Sequence, residues 1–332
     1  MNICMIGCGS HSNHVHGPSY RKYAAQNSFV KLSACCDINA EAAAKYAADF
    51  GFTNFYTNYM EMLKIEKPDM VCIILPINLT EKITVDVLKS GFHAIIEKPP
   101  ALTPEGVLNI KDTQEKASKQ LKVCFNRRYT PLIRYVVDKI KQSGENIQAI
   151  HYEMHRYRRG NEEFSPTAIH GVDLVKHIAG SDYKKLRFDY IPMTNNKQTG
   201  NHIYLSGTSE NGSVLRLAFL PLAAADRECV SVHTNSTSFF VELPFTKFDK
   251  EGSIRVIEHG KEVDVSGLNI AALDGFEYFE RNGFYNCSAA FLDDLRDAKN
   301  HSEGLIDSTL QSVIVAKCIK EKCETYENKI YS

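Results

Sequence analysis

Over its first 125 residues the chain alternates short apolar runs with helical stretches, and this alternation limits the possible folds more than any other feature. The runs are Asn2–Ile6, Val30–Cys36, Met70–Leu75, His93–Ile96 and Lys122–Phe125. Helices are expected at Tyr20–Asn27, Glu41–Phe50 (closed by Gly51), Tyr59–Lys67, Glu81–Ser90 and Thr103–Lys119, the last with Pro104 in its first turn. Strands that are apolar throughout are buried on both faces, so helices must cover both sides. That requirement describes an α/β domain built on a parallel, doubly wound sheet.

Past residue 125 the pattern changes. Pro131–Ser143 and Thr167–Ile178 read as helices, and Ala149–Arg156 as a half-exposed strand. Further strand-like runs (Phe188–Met193, His202–Gly207, Ser213–Phe219, Cys229–Thr234, Phe239–Leu243, Ser253–Glu258) are broken by Asn-Gly, Glu-Gly and His-Gly turns. Turns of this kind join antiparallel neighbours. Helices at Phe284–Lys299 and Asp307–Glu324 finish the chain. A length of 332 residues suits two domains, set here at 1–124 and 125–332. The second is an α+β domain with a mostly antiparallel sheet.

Composition removes several function classes. Lys and Arg total 39 against 40 Asp and Glu, a net charge of -1, so nothing suggests the basic surface that nucleic acid or an anionic membrane demands. A hydrophobic fraction of 43% supports a substantial core rather than disorder. The best apolar run, Met70–Leu75, stops at Pro76, far short of a membrane span. The N-terminus turns polar by Ser10 without a secretory pattern, so a soluble cytoplasmic protein is expected. Cys4, Cys8, Cys35, Cys36 and Cys72 sit in strand-like segments as small hydrophobes, and no Cys-x-x-Cys pair builds a zinc site. Reduced, structural thiols follow.

Gly7-Cys8-Gly9 follows a strand and precedes a helix. Glycines there let the backbone approach a pyrophosphate, whose charge is held by free amides at the helix N-terminus. Ser12 replaces the third fingerprint glycine, and a tight turn alone would also use glycine. Asp37, closing the second strand, can accept hydrogen bonds from both adenosine ribose hydroxyls and repels a 2′-phosphate. No arginine follows in Ile38-Asn39, so NAD is expected over NADP. The plainer alternative is a helix N-cap by Asp37 or Asn39. Candidates for cofactor contact are Gly7, Cys8, Gly9, Ser10, His11, Asp37, Pro76, Glu97 and Lys98. His11, His14 and His16 have ligand-like spacing, but no carboxylate or cysteine stands near them in sequence. They are expected to line the cofactor or face solvent, with no metal.

Glu97-Lys98-Pro99-Pro100 follows a buried strand, at the carboxyl edge where such sheets bind ligands. A lysine there can donate to a substrate hydroxyl or carbonyl oxygen and stabilise developing charge. A surface Glu–Lys pair reads equally well. His170, Asp173 and His177 fall on roughly one face of a helix, where a histidine beside a carboxylate can act as general base or metal ligand. A structural polar cluster is the plainer reading.

Taken in order, Gly7-Cys8-Gly9, Asp37, Glu97-Lys98-Pro99, Phe125-Asn126-Arg127-Arg128-Tyr129 and His170-x-x-Asp173 resemble the glucose-fructose oxidoreductase / inositol dehydrogenase / rhizopine catabolism (Gfo/Idh/MocA) family, over nearly the whole chain. The resemblance implies a Rossmann domain and a second domain on a large open sheet that often forms an oligomer interface, hence a homodimer or homotetramer. It implies an NAD(P)-dependent oxidoreductase acting on a small sugar, sugar derivative, inositol or polyol. Lys98 would then meet the nicotinamide ribose and the reacting oxygen, and His170 would be the acid/base. Arg128 and Arg156 become candidates for substrate contact, followed by Tyr157, Arg158 and Asp173. Two departures stand out: Pro166 occupies the place of an aspartate that inositol dehydrogenases carry four residues before the histidine, and Thr80 replaces a common histidine. Proton transfer would rest on His170 alone, on His170 with Asp173, or on a substrate group. The implied activity is oxidation of a secondary hydroxyl by hydride transfer to NAD. The alternatives are a redox-neutral epimerisation, elimination or glycoside cleavage with tightly held NAD, or a non-catalytic NAD- and sugar-binding regulator.

Overall fold

The fold is taken from a computed structural model that describes residues 1–160, 163–195, 198–244, 252–265, 276–299 and 305–329. The N-terminal strands are β1 (Asn2–Ile6), β2 (Lys31–Cys36), β3 (Asn54–Tyr56), β4 (Met70–Ile73), β5 (His93–Glu97) and β6 (Leu121–Cys124). They alternate with α1 (Gly17–Gln26), α2 (Ala40–Phe50), α3 (Tyr59–Glu66), α4 (Ile77–Lys89) and α5 (Pro104–Ala117). All strands pair in parallel, in the order β3-β2-β1-β4-β5-β6. Residues 70–73 of β4 are fully enclosed, as a strand covered on both faces must be. The order reverses between β1 and β4, which opens a crevice over their carboxyl ends. β3 escaped the sequence reading because it is a three-residue edge strand without an apolar run.

Around α1 the chain is helical from Ser10 onward, ten residues before the expected start at Tyr20. A π-helical turn at Ser12–His16 precedes Gly17, whose N–H bonds back to the Ser12 carbonyl. The wide turn displaces the α-helical ladder just ahead of Pro18, which has no N–H to contribute to it.

The second sheet has nine strands. After α6 (Pro131–Ser143) come β7 (Ala149–Tyr157), α7 (Ser165–Ala179), β8 (Tyr183–Asn195), β9 (Gln198–Ser209), β10 (Val214–Ala223), β11 (Arg227–His233), β12 (Thr237–Glu242), β13 (Ser253–Glu258) and β14 (Lys261–Val263). The chain ends with α8 (Tyr278–Arg281), α9 (Phe284–Arg296), α10 (Ile306–Glu321) and β15 (Thr325–Glu327). The strand order is β14-β13-β12-β11-β7-β10-β9-β8-β15, antiparallel except for β7 with β10. One face is apolar and carries α6 and α7: Ile150, Tyr152, Met154, Leu217 and Val230 meet Leu132, Val136, Val172 and Val175 there. α7 lies directly on the sheet because residue 171 is glycine; a Cβ there would fall 2.1 Å from the Tyr152 ring.

Met1–Asn126 with Gly283–Val313 form one unit, and Arg127–Asn282 with Ile314–Ser332 the other. The sequence reading gave everything after residue 124 to the second domain, whereas residues 283–313 cluster with the first. The reason is α9, which buries Phe284, Cys287, Phe291 and Leu292 and lies against α1 and β6. Tyr23 also donates to Asp293 Oδ1 at 2.6 Å. No local pattern links residue 284 to a sheet that ended at residue 124. All ten cysteines are free, and burial pushes thiols such as Cys36 up to about 12, which keeps them protonated. No helix among the described residues is long and apolar enough to cross a membrane.

Candidate functional site

The loop after β1 is shaped by two glycines with different tasks. Gly7 has φ +100°, and a Cβ there would lie 2.0 Å from the Ile74 carbonyl oxygen. Only glycine fits. Gly9 is exposed and a Cβ on it would meet nothing within 4 Å, so the space over the loop is open. The first backbone bond of the following helix runs from Asn13 N–H to the Gly9 carbonyl at 3.0 Å, which leaves the amides before it without a helical partner. An open loop beneath unpaired amides fits a pyrophosphate. Ser12, in the third fingerprint position, is buried and donates to the Tyr46 hydroxyl at 2.9 Å. Close packing occurs instead at Gly17, where a Cβ would sit 2.5 Å from the Phe50 ring. Gly7→Ala is therefore expected to lower stability by about 2 kcal/mol or more. Gly9→Ala should keep the wild-type melting temperature while weakening dinucleotide binding roughly tenfold (about 1.4 kcal/mol). Thermal unfolding and titration calorimetry on the pair check this, and equal behaviour of the two variants would refute it.

Asp37 closes β2 beside this loop. Its Oδ2 accepts from Cys8 N–H at 2.9 Å and its Oδ1 from Asn39 N–H at 3.0 Å. The helix cap of α2 is Asn39, which accepts from Ala42 N–H at 3.1 Å, so capping does not explain Asp37. Ile38 is 95% exposed next to it. Ser10 is exposed, with its hydroxyl 3.4 Å from His14 Nδ1. Pro76 is exposed at the start of α4, and Thr80 is buried one turn later.

At the end of β5, Glu97 is only 8% exposed. Its Oε1 accepts from His16 Nε2 at 2.8 Å and lies 3.3 Å from His11 Nε2, while its Oε2 accepts from Lys98 N–H at 3.1 Å. Burial would raise the Glu97 pKa, but hydrogen bonds from His11 and His16 outweigh it and hold the carboxyl well below the usual range. His16 is wholly enclosed, and burial lowers its pKa against the pull of Glu97. The sequence reading found no carboxylate for the histidine group; the fold supplies Glu97 from 81 residues away. Lys98 itself is half-buried at the carboxyl edge of the sheet. The cofactor candidates of this unit, from Gly7 through Lys98, thus border the carboxyl ends of β1, β2, β4 and β5.

In the second unit, His170 is half-buried on α7, one position before the glycine that seats this helix on the sheet. Asp173 is 1% exposed and takes a two-pronged ion pair from Arg128, with Nε to Oδ2 at 2.7 Å. Arg156 shares the inward face of β7 with Ile150, Tyr152 and Met154, and its guanidinium donates to Glu228 Oε2 at 2.6 Å. Arg127 and the Tyr152 hydroxyl bind the same carboxylate. Arg128 and Arg156, the first two arginines named from the sequence, are thus engaged by buried acids, and Glu228 was missed. Tyr157 points the other way, 40% exposed, with the Arg158 guanidinium 4.8 Å from its ring centre. Pro166 lies in the first turn of α7, a position that suits proline because N–H groups in the first turn have no partner within the helix.

Burial, and then the cations Arg128, Lys141 and Arg134, push His177 down to about 3. It stays neutral in the fold while an unfolded histidine protonates near 6.5. Its contribution is whole above that value and is lost as the pH falls toward the folded one. The wild type should lose about 2 kcal/mol between pH 7 and pH 5 through this group, and His177→Gln should flatten that part of the profile. Parallel pH–stability curves for the two proteins would refute it.

Residues 1–125 match the model of an oxidoreductase family with an NAD-binding Rossmann fold, GFO_IDH_MocA. That span, somewhat over a third of the chain, resembles the NAD-binding domain of the Gfo/Idh/MocA family. The chain is similar to D-glucoside 3-dehydrogenase of Escherichia coli (strain K12), 33% identical over 129 residues, which are 39% of this chain and 36% of that protein. Inositol 2-dehydrogenase of Corynebacterium glutamicum is 24% identical over 199 residues, 57% of each chain. The matches thus span between about a third and somewhat over half of these relatives. A levoglucosan dehydrogenase solved with NADH superposes with TM-score 0.81 over 98% of both chains at 16% identity, a likeness of fold.

Proposed function

We propose that this chain is an NAD-dependent dehydrogenase that oxidises a secondary hydroxyl of a small sugar, glycoside, inositol or other polyol. The observation that carries the reading is the carboxyl edge of the parallel sheet, where an open glycine loop, Asp37 and the Lys98 backbone held by Glu97 border one crevice. The dehydrogenase names of the two curated relatives support the substrate class. The loop Gly7–His11 would hold the pyrophosphate and Asp37 the adenosine ribose, which favours NAD over its 2′-phosphorylated form. NAD, when bound, accepts a hydride.

Lys98 donates a hydrogen bond to the reacting oxygen and stabilises the charge that grows there. His170 accepts the hydroxyl proton on its imidazole. Because Arg128 occupies both oxygens of Asp173 and Pro166 has no acid to offer, that proton is held by His170 itself. Assembly as a homodimer or homotetramer through the open face of the second sheet belongs to the same proposal.

The test is reduced-nicotinamide formation by purified protein with NAD or NADP across monosaccharides, inositols, uronates and glycosides. Reduction of NAD with one chemical class is expected, and Asp37→Ala should narrow the preference over NADP. NAD that co-purifies and turns over substrate without net reduction would replace this reading by the redox-neutral one. Tight binding with no exchange of hydride would make the protein a sensor.

A further inference from the structure

His11, His16 and Glu97 form the group of metal-ligating side chains found among the described residues, with their donor atoms all within 4.8 Å of one another. Residues five apart on an α-helix point roughly 140° away from each other. Here the π-helical turn Ser12–His16 adds the residue that returns both imidazoles to one side, with ring centres 5.5 Å apart. The edge of Phe284 packs on both rings, at 5.4 and 5.6 Å, and gives the cluster an apolar wall.

A further feature points to a ligand. Glu97 is a buried anion, and its partners are two imidazoles and one backbone amide; no lysine or arginine side chain among the described residues pairs with it. A charge in that position calls for a cation. His16 is 0% exposed, and Nε2 is the ring nitrogen it turns toward Glu97, 2.8 Å away. His11, with half its side chain exposed, leaves an entry and an open coordination position.

We propose that His11 Nε2, His16 Nε2 and a Glu97 carboxylate oxygen bind a divalent ion of the zinc class, with a fourth position open to water or a ligand. Two imidazoles and a carboxylate form a borderline N/O set that suits zinc or cobalt better than magnesium or calcium. Donors about 2.0–2.1 Å from one ion stand about 3.3 Å from each other. The His11–Glu97 pair is already at 3.3 Å, and the His16–Glu97 pair must open slightly from 2.8 Å as the imidazole proton leaves. The ion would tie the first turn after the glycine loop to the residue preceding Lys98.

The test uses the full chain, stripped with a chelator and titrated with Zn²⁺ by calorimetry and with Co²⁺ by visible absorption. One equivalent should bind, and the cobalt spectrum should show the bands of an N/O site without thiolate charge transfer. His11→Ala, at an exposed position that leaves the fold intact, should weaken binding by roughly 100-fold or more, beyond the loss of a mere outer-shell group. His14→Ala should bind as wild type does. Absence of uptake, equal affinity in His11→Ala, or a cysteine charge-transfer band would each overturn the proposal. Glu97→Gln adds a second arm: retained folding by circular dichroism with lost uptake supports the site, and retained uptake removes it.

Discussion

Lys98→Met is expected to keep dinucleotide binding and to lose turnover by roughly 10²- to 10⁴-fold. Methionine keeps the unbranched length and removes the charge, so the change isolates the donor. The loop that would hold the dinucleotide is built from Gly7, Gly9 and Asp37, whose contacts do not involve the Lys98 side chain. The backbone of residue 98 also stays anchored, because Glu97 grips its amide rather than its ammonium. His170→Ala should lose turnover to a similar extent, since Asp173, the acid on the same helix, is already bound by Arg128. Steady-state turnover and calorimetric NAD affinity on both variants decide the matter. Near-wild-type turnover in both would sink the dehydrogenase reading. Retained turnover in His170→Ala alone would move the proton to another group and leave Lys98 in place.

Removing the Glu228 carboxylate should produce the largest loss of stability. This side chain is 2% exposed and joins Arg127, Arg156 and the Tyr152 hydroxyl. Glu228→Ala takes this anion from the buried Arg156 and the half-buried Arg127 guanidinium groups, and breaking such a group from one side costs about 3–5 kcal/mol. In a protein of this size that corresponds to a fall of roughly 10 °C in melting temperature. Burial would raise the Glu228 pKa, but Arg127 and Arg156 prevail and hold it down to about 2. A carboxyl with a depressed folded pKa contributes fully above its unfolded value and loses that contribution as the pH falls through the folded one. The wild-type advantage over Glu228→Ala should thus shrink below about pH 4.5 and vanish near pH 2. Chemical denaturation across that range measures it. A loss under 1 kcal/mol at neutral pH would show that the arginines find other partners.

The contrast between Arg156 and Glu228 shows how far local pattern reaches. Period-two alternation along 149–157 already carries Arg156 to the side of Ile150, Tyr152 and Met154, so its burial was legible. Its partner was not: Glu228 lies on β11, and only the pairing of β11 with β7 brings it there. The arginines were read as substrate forks because a sequence shows their charge without showing which acid answers it. Glu97 repeats the lesson, since β1 and β5 are separated by one strand in the sheet and by most of a domain along the chain. The early helix around His11–His16 was also hidden, because the residues that line a π-helical turn have no apolar period of their own.

What the sequence by itself determined is what depends on neighbours along the chain. It contained the five longer parallel strands, the helices between them, the tight turn at Gly7 and the antiparallel ladders after residue 186. These follow from hydrophobic period, turn residues and steric freedom, all of which act over a few residues. Only the tertiary structure decided that Gly283–Val313 joins the first unit, that Asn39 rather than Asp37 caps α2, that Arg128 closes on Asp173, and that two histidines share Glu97. Ion pairs and packing faces between distant segments are settled by strand order and burial. A charge buried by that arrangement must take whatever opposite charge or donor the fold brings within reach.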